Sequence, residues 1–347
     1  MDNVIEKKDR IVISVDAMGG DHGVSVIIDG LHKAWLKHQS LQFLIHGNKN
    51  QIYEHLEKRS DLNAISTVVD CKNTVEMDEK PSAAIRNGKE SSMWSALEEL
   101  AKGNANIAFS CGNTGALMAM AMLQLRKAPG INRPAIAVLW PAKNSRGFNI
   151  VLDAGADIKA DSDDLLQYAL MGVAYARDGF DIQRPKVGLL NVGTEIHKGR
   201  TELHAASLSI SEKQEDNNFE YVGYLEGSDI PSAKADIIVT DGFTGNVALK
   251  TGEGTASLIR DFLKESLNQS IASKLGAILS VSSLKQLNKK IDPRNVNGGI
   301  FLGLNGIVIK SHGSADSIGV AAAINLAHQL EMLGFSQKLT SKFNGYS

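Results

Sequence analysis

Residues 237–246 read Ile237-Ile238-Val239-Thr240-Asp241-Gly242-Phe243-Thr244-Gly245-Asn246, an apolar run that stops abruptly in a polar, glycine-rich turn. A continuous β-branched run, without the alternation of a half-exposed strand, predicts a strand buried on both faces, as in a parallel sheet. Residues 247–263 then switch to helical periodicity, so the turn joins a strand to a helix. The pattern recurs five times. Ile11-Val12-Ile13-Ser14-Val15 runs into Asp16-Ala17-Met18-Gly19-Gly20-Asp21, and residues 106–109 run into Ser110-Cys111-Gly112-Asn113-Thr114-Gly115. Residues 149–152 meet Asp153-Ala154-Gly155-Ala156-Asp157, residues 187–190 meet Asn191-Val192-Gly193-Thr194-Glu195, and residues 307–310 meet Ser311-His312-Gly313-Ser314. Helical periodicity fills residues 27–35, 116–125, 164–175 and 320–333. Alternating strand and helix predicts βαβ units with right-handed crossovers. Ligands gather beyond the carboxyl ends of such strands, so all six turns are expected along one sheet edge, converging on a site.

Bulk composition narrows the function classes. At 347 residues the chain buries a substantial core as one large α/β domain or two lobes. A formal net charge of -2 provides no global basic field for nucleic acid, which is not expected as a partner. The two cysteines, Cys71 and Cys111, form neither a CxxC pair nor a His/Cys cluster. That argues against a disulfide framework or structural zinc and fits a reducing compartment. Residues 1–10 are charged and lack the apolar centre of a signal peptide. No apolar run approaches the about 18 residues needed to span a bilayer. A cytoplasmic protein, at most peripherally attached to a membrane, is expected.

The turns themselves carry the chemistry. Glycines between a strand and a helix let backbone N–H groups approach an anion at the positive helix N-terminus. Asn113, Thr114, Thr244 and Asn246 can add side-chain donors, Lys198 and Lys250 positive charge, and His312 a proton. Together they point to a phosphate site. Neither GxxxxGK[ST] nor GxGxxG is present, and there is no GxSxG elbow for a serine nucleophile. Cys111 has no local His or acid partner and reads as a small buried residue. Asp16, Asp21, Asp153 and Asp157 offer carboxylates at strand ends, where aspartate commonly caps a turn, so no metal site is expected.

Read as a set, these blocks resemble the PlsX-type phosphate acyltransferase family. Beyond the turns already quoted, the matching residues are Lys80-Pro81 with Arg86, Ser91-Ser92-Met93, Lys198-Gly199, Glu253-Gly254, residues 302–306, Lys310 and His312-Gly313. They occur in family order over nearly the whole chain. Gly23-Val24 stands where the family often has Ala-Pro, Asp157 where Asn is usual, and Cys111 where Ala is common.

The resemblance implies a three-layer α/β/α fold of two lobes, mainly parallel and akin to phosphotransacetylases and isopropylmalate-type dehydrogenases. Residues 1–347 would form one catalytic domain assembled as a homodimer. It implies transfer of a fatty acyl group from acyl carrier protein to inorganic phosphate, without a cofactor. The acyl phosphate would pass to a membrane acyltransferase of phospholipid synthesis. Phosphate is then the nucleophile, so the protein must position it and stabilise an oxyanion. Lys198, Asn246 and His312 are the expected catalytic residues. Asp16, Gly19, Gly20, Asn113, Thr114, Gly115, Asp153, Asn191, Thr244, Gly245 and Lys250 are expected around substrate and phosphate. Within residues 265–298, Ile271, Leu275, Ile278, Leu279 and Leu284 make an amphipathic stretch followed by Lys285, Lys289, Lys290 and Arg294. Such a stretch suits an acidic carrier protein, an anionic lipid surface or dimer packing. The alternatives are a short-chain phosphotransacetylase acting on acyl-CoA and a non-catalytic acyl-phosphate-binding protein.

Overall fold

A computed structural model describes residues 10–291, 298–335 and 338. Each of the six apolar runs is a strand. In chain order the strands are β1 (Ile11–Asp16), β2 (Leu41–Gly47), β3 (Ser66–Asp70), β4 (Ile107–Ser110), β5 (Ala135–Pro141) and β6 (Phe148–Leu152). They continue with β7 (Lys186–Leu190), β8 (Glu220–Leu225), β9 (Ile237–Val239), β10 (Gly299–Leu302) and β11 (Ile307–Lys310). The helices are α1 (Gly23–Lys37), α2 (Lys49–Leu56), α3 (Ser60–Ala64), α4 (Pro81–Asn87), α5 (Ser92–Ala101) and α6 (Thr114–Gln124). After these come α7 (Ser162–Phe180), α8 (Thr201–Glu212), α9 (Gly242–Asn268), α10 (Ile271–Leu279), α11 (Val281–Ile291) and α12 (Ser317–Met332).

Among the described residues all strands join one sheet, ordered β3-β2-β1-β4-β11-β10-β5-β6-β9-β7-β8. Pairing is parallel from β3 to β11 and again from β6 to β8. It is antiparallel at three central junctions, β11–β10, β10–β5 and β5–β6. Three reversals leave the two parallel blocks running in opposite directions. The six polar turns therefore do not share a single edge. Those after β1, β4 and β11 leave one side of the sheet, and those after β6, β7 and β9 leave the other. An apolar run reads the same in either direction, so nothing in the pattern distinguishes the two.

Register brings the two sets together at the centre. Gly299 pairs with Lys310 on one side and Val138 on the other, while Ala137 pairs with Leu152. The last residues of β11 and β6 thus stand at nearly the same height across two intervening strands. Ile13, Val15, Phe109, Leu189 and Ile309 are fully buried, as doubly covered strands require. Helices supply the cover: α1 packs on α12, α5 on β1, β2 and β4, and α7 on β6 and β9.

The start of α9 is held down by buried Gly242 and Gly245, but its remaining turns and all of α10 bury no residue fully. The amphipathic stretch is therefore helical, broken between α10 and α11, and its apolar residues Ile271, Ile278 and Leu279 are exposed. Arg294 lies outside the described residues, and only the backbone of Lys289 and Lys290 is described. Among the described residues no helix is long and apolar enough to cross a membrane.

Candidate active site

Where β9 meets α9, Asp241 caps the helix, its Oδ1 accepting the Thr244 N–H at 2.8 Å and its other oxygen meeting Arg200. The Gly245 N–H donates to the Asp241 carbonyl at 2.9 Å. Two amides expected to cradle phosphate are thus spent within the turn. The glycines serve packing instead. A Cβ on Gly245 would collide with the Asp153 carbonyl oxygen, and one on Gly242 with that of Asp157.

That neighbouring loop is organised by Asp153, whose buried carboxylate accepts the N–H groups of Ile136, Gly155, Ala156 and Asp157 at 2.8–3.2 Å. Burial pushes Asp153 up to about 6, against the pull of those four donors. Asp157, the extra negative charge of the sequence, is neutralised by Arg133 at 2.5 Å. The close helix–loop contact leaves the side chain of Asn246 beside Gly155.

From there α9 forms one wall of a pocket of about 300 Å³. Its lining divides by chemistry. Ile136, Val138, Leu139 and Trp140 of β5 face Leu249 and Ala256 of α9, and the Trp140 indole lies against Gly252. The polar lining comprises Thr114, Asn246, Lys250, Glu253, Lys310, Ser311 and His312. The turns after β4, β9 and β11 thus meet in one place, as the central register allows.

Two lysines, a histidine and one carboxylate meet here. Lys250 Nζ stands 2.9 Å from Glu253 Oε2 and in contact with His312 Nε2. His312 Nδ1 accepts the Ser314 N–H at 3.1 Å. Burial, and then the charge of Lys250, push the His312 imidazole below its ordinary range. Lys310 is buried at the end of β11, its Nζ donating to the Cys111 carbonyl at 3.3 Å and to the Ser311 carbonyl. Burial pushes this ammonium down to about 8, with Lys250 acting in the same direction. Cys111 is buried and its thiol is pushed up to about 12, far from a thiolate nucleophile.

Of the residues expected from sequence, Thr114, Asn246, Lys250 and His312 line this pocket and the others do not. Asn113 caps α6 through the Ala116 N–H at 3.0 Å and donates to the Met77 and Glu79 carbonyls at 2.9 and 2.8 Å. Its amide is committed at both ends. Asp16 is buried and accepts the hydroxyls of Ser92 and Ser110. Gly19 is pressed against Gly112, Gly20 holds a φ of 99° beside Cys111, and Gly115 lies against Pro81. Asn191 donates to the Lys198 carbonyl at 3.0 Å. Lys198 is exposed and paired with Glu195 at 2.8 Å, outside the pocket. Sequence reasoning missed Lys310, Ser311 and Trp140 as site residues. For Lys310 a signal existed, a charge at the last position of a buried strand.

Comparison with known proteins decides the family. Residues 11–338 match the family model described as "Fatty acid synthesis protein". The chain belongs to that family. Within it, the chain is 55% identical over 334 residues to a phosphate acyltransferase from Paracoccus denitrificans (strain Pd 1222), covering 96% of this chain and 90% of the relative. A phosphate acyltransferase from Jannaschia sp. (strain CCS1) is 56% identical over 331 residues, covering 95% and 91%. This member of the fatty acid synthesis protein family is an acyltransferase.

Its fold is shared more widely. A phosphotransacetylase from Streptococcus pyogenes superposes with a TM-score of 0.59 at 18% identity, over 93% of this chain and 95% of that one. A branched-chain phosphotransacylase from Enterococcus faecalis V583 gives 0.58 at 15%, over 92% and 98%. At such identities the likeness concerns the fold alone.

Proposed function

We propose that the chain transfers a fatty acyl group from acyl carrier protein to inorganic phosphate. The observation that carries this reading is the pocket, which joins an apolar wall to a cluster of cationic and hydrogen-bonding groups. An acyl chain fits against Val138, Trp140 and Ala256, and phosphate fits beside Lys250 and His312. A hydrogen phosphate oxygen attacks the thioester carbonyl carbon and the C–S bond breaks. The phosphate proton goes to the departing thiolate, leaving acyl phosphate and free carrier thiol. Because the thiol leaves readily, near its pKa of about 8.5, the protein's main tasks are alignment and oxyanion stabilisation. Asn246 is the donor we assign to the oxyanion, a role in which one hydrogen bond contributes about 3 kcal/mol. A part for Lys198 requires its ion pair with Glu195 to open.

Three further expectations belong to this reading. The acidic carrier docks near Lys285, two copies associate through the exposed apolar residues of α9 and α10, and the same region rests on an anionic membrane surface, where a membrane acyltransferase takes up the product. The deciding assay incubates the protein with palmitoyl carrier protein and phosphate. Free carrier thiol and a hydroxylamine-trappable acyl phosphate are expected, both dependent on phosphate. Thioester loss without phosphate, or none at all, defeats the reading. Faster turnover of acyl-CoA than of the carrier thioester would favour the phosphotransacetylase alternative.

A further inference from the structure

Lys310 is 9% exposed, and its strand sits between β4 and β10 near the middle of the sheet. Among the described residues no carboxylate lies within ion-pairing distance of it, and its hydrogen bonds go to two carbonyls, those of Cys111 and Ser311. An ammonium has three N–H donors. Taking such a charge out of water is costly unless a counter-charge and hydrogen bonds replace the lost solvation. Two neutral carbonyls meet only part of that requirement. Lys250 lies on the same pocket and brings further positive charge, and the carboxylate there, Glu253, is paired with Lys250 at 2.9 Å. The buried Asp16 is already engaged with two serine hydroxyls. The pocket surface also carries the hydroxyl of Thr114 and the amide of Asn246, both suited to oxygen atoms of an anion.

We infer that Lys310 binds the phosphate substrate, giving its remaining N–H to a phosphate oxygen while the two carbonyls fix its direction. This rests on the function proposed above and adds a residue to it. The phosphate then sits at the end of β11, near Thr114 and Asn246, and away from the Asn113 amide and the Thr244 and Gly245 N–H groups, whose hydrogen bonds are already made. Lys310 and Lys250 flank a dianion, and each cation is stabilised by it.

The test compares wild type with Lys310→Met and Lys310→Arg, using inorganic phosphate and palmitoyl carrier protein. Lys310→Met should raise the KM for phosphate at least tenfold while leaving the KM for the carrier thioester within twofold. Lys310→Arg should recover most of that loss. Without any acyl substrate, phosphate should raise the melting temperature of wild type and leave that of Lys310→Met unmoved. An unchanged phosphate KM, or an equal phosphate-induced shift in both proteins, overturns the assignment. Should Lys310→Met fail to fold, Lys310→Gln is read by the same two measurements. If wild type binds phosphate but makes no acyl phosphate, the function fails while the phosphate site stands.

Discussion

His46 shows how a single buried side chain ties stability to pH. It is fully buried on β2, with Nε2 2.8 Å from the Ser14 hydroxyl and Nδ1 2.8 Å from that of Ser95. A neutral imidazole has one donor and one acceptor and satisfies both contacts. Burial pushes its pKa from 6.5 down to about 4, with Glu99 opposing. Between those values the unfolded chain binds the proton and the native one does not. Stability is therefore complete above about pH 6.5 and falls as pH drops toward 4, by about 3 kcal/mol at most. Urea unfolding at pH 7.5 and 4.5 checks this. The loss should be smaller in His46→Gln, which keeps a donor and an acceptor but cannot titrate; equal losses would remove His46 as the cause.

The first turn of α9 is where packing and chemistry meet. Gly245 has the Asp153 carbonyl where a side chain would go, so Gly245→Ala must push the helix off the 153–157 loop. Overpacking of this kind costs about 1–3 kcal/mol, and Asn246 moves with the helix. We expect a lower melting temperature together with a turnover loss of tenfold or more, measured with the carrier thioester. Full turnover at reduced stability would show that Asn246 does not need this placement. This turn also shows what the sequence could disclose. Thr114, Asn246, Lys250 and His312, which line the pocket, stand in the polar turns or early helical turns that follow apolar runs, where the sequence pattern pointed. Asn113, Asp16 and Asn191 lie outside the pocket, because asparagine and aspartate at strand ends satisfy backbone or hydroxyl groups as readily as they bind ligands. Trp140 was unreadable, since a strand residue facing a pocket resembles one facing core. Strands β5 and β10, like β2, β3 and β8, lie outside the six apolar runs marked by polar, glycine-rich turns and were not read as strands. Those two strands reverse the sheet, which is why its direction could not be read.

Across the whole molecule, α9 leaves a row of apolar side chains in the open, with Leu258, Ile259 and Phe262 51%, 55% and 59% exposed. A surface of this kind is usually covered by a partner. We expect dimers in sedimentation equilibrium, converted to monomers by Phe262→Lys combined with Leu258→Lys. A wild-type monomer at micromolar concentration would assign the row to something other than self-association. The central strands have a further consequence. β10 and β11 are made late in synthesis, yet they fill the gap between β4 and β5. Until they emerge from the ribosome, both older strands present bare edges to other nascent chains, a hazard that invites chaperones. Stalled translation would therefore yield two unjoined halves, with neither a closed sheet nor a place for phosphate.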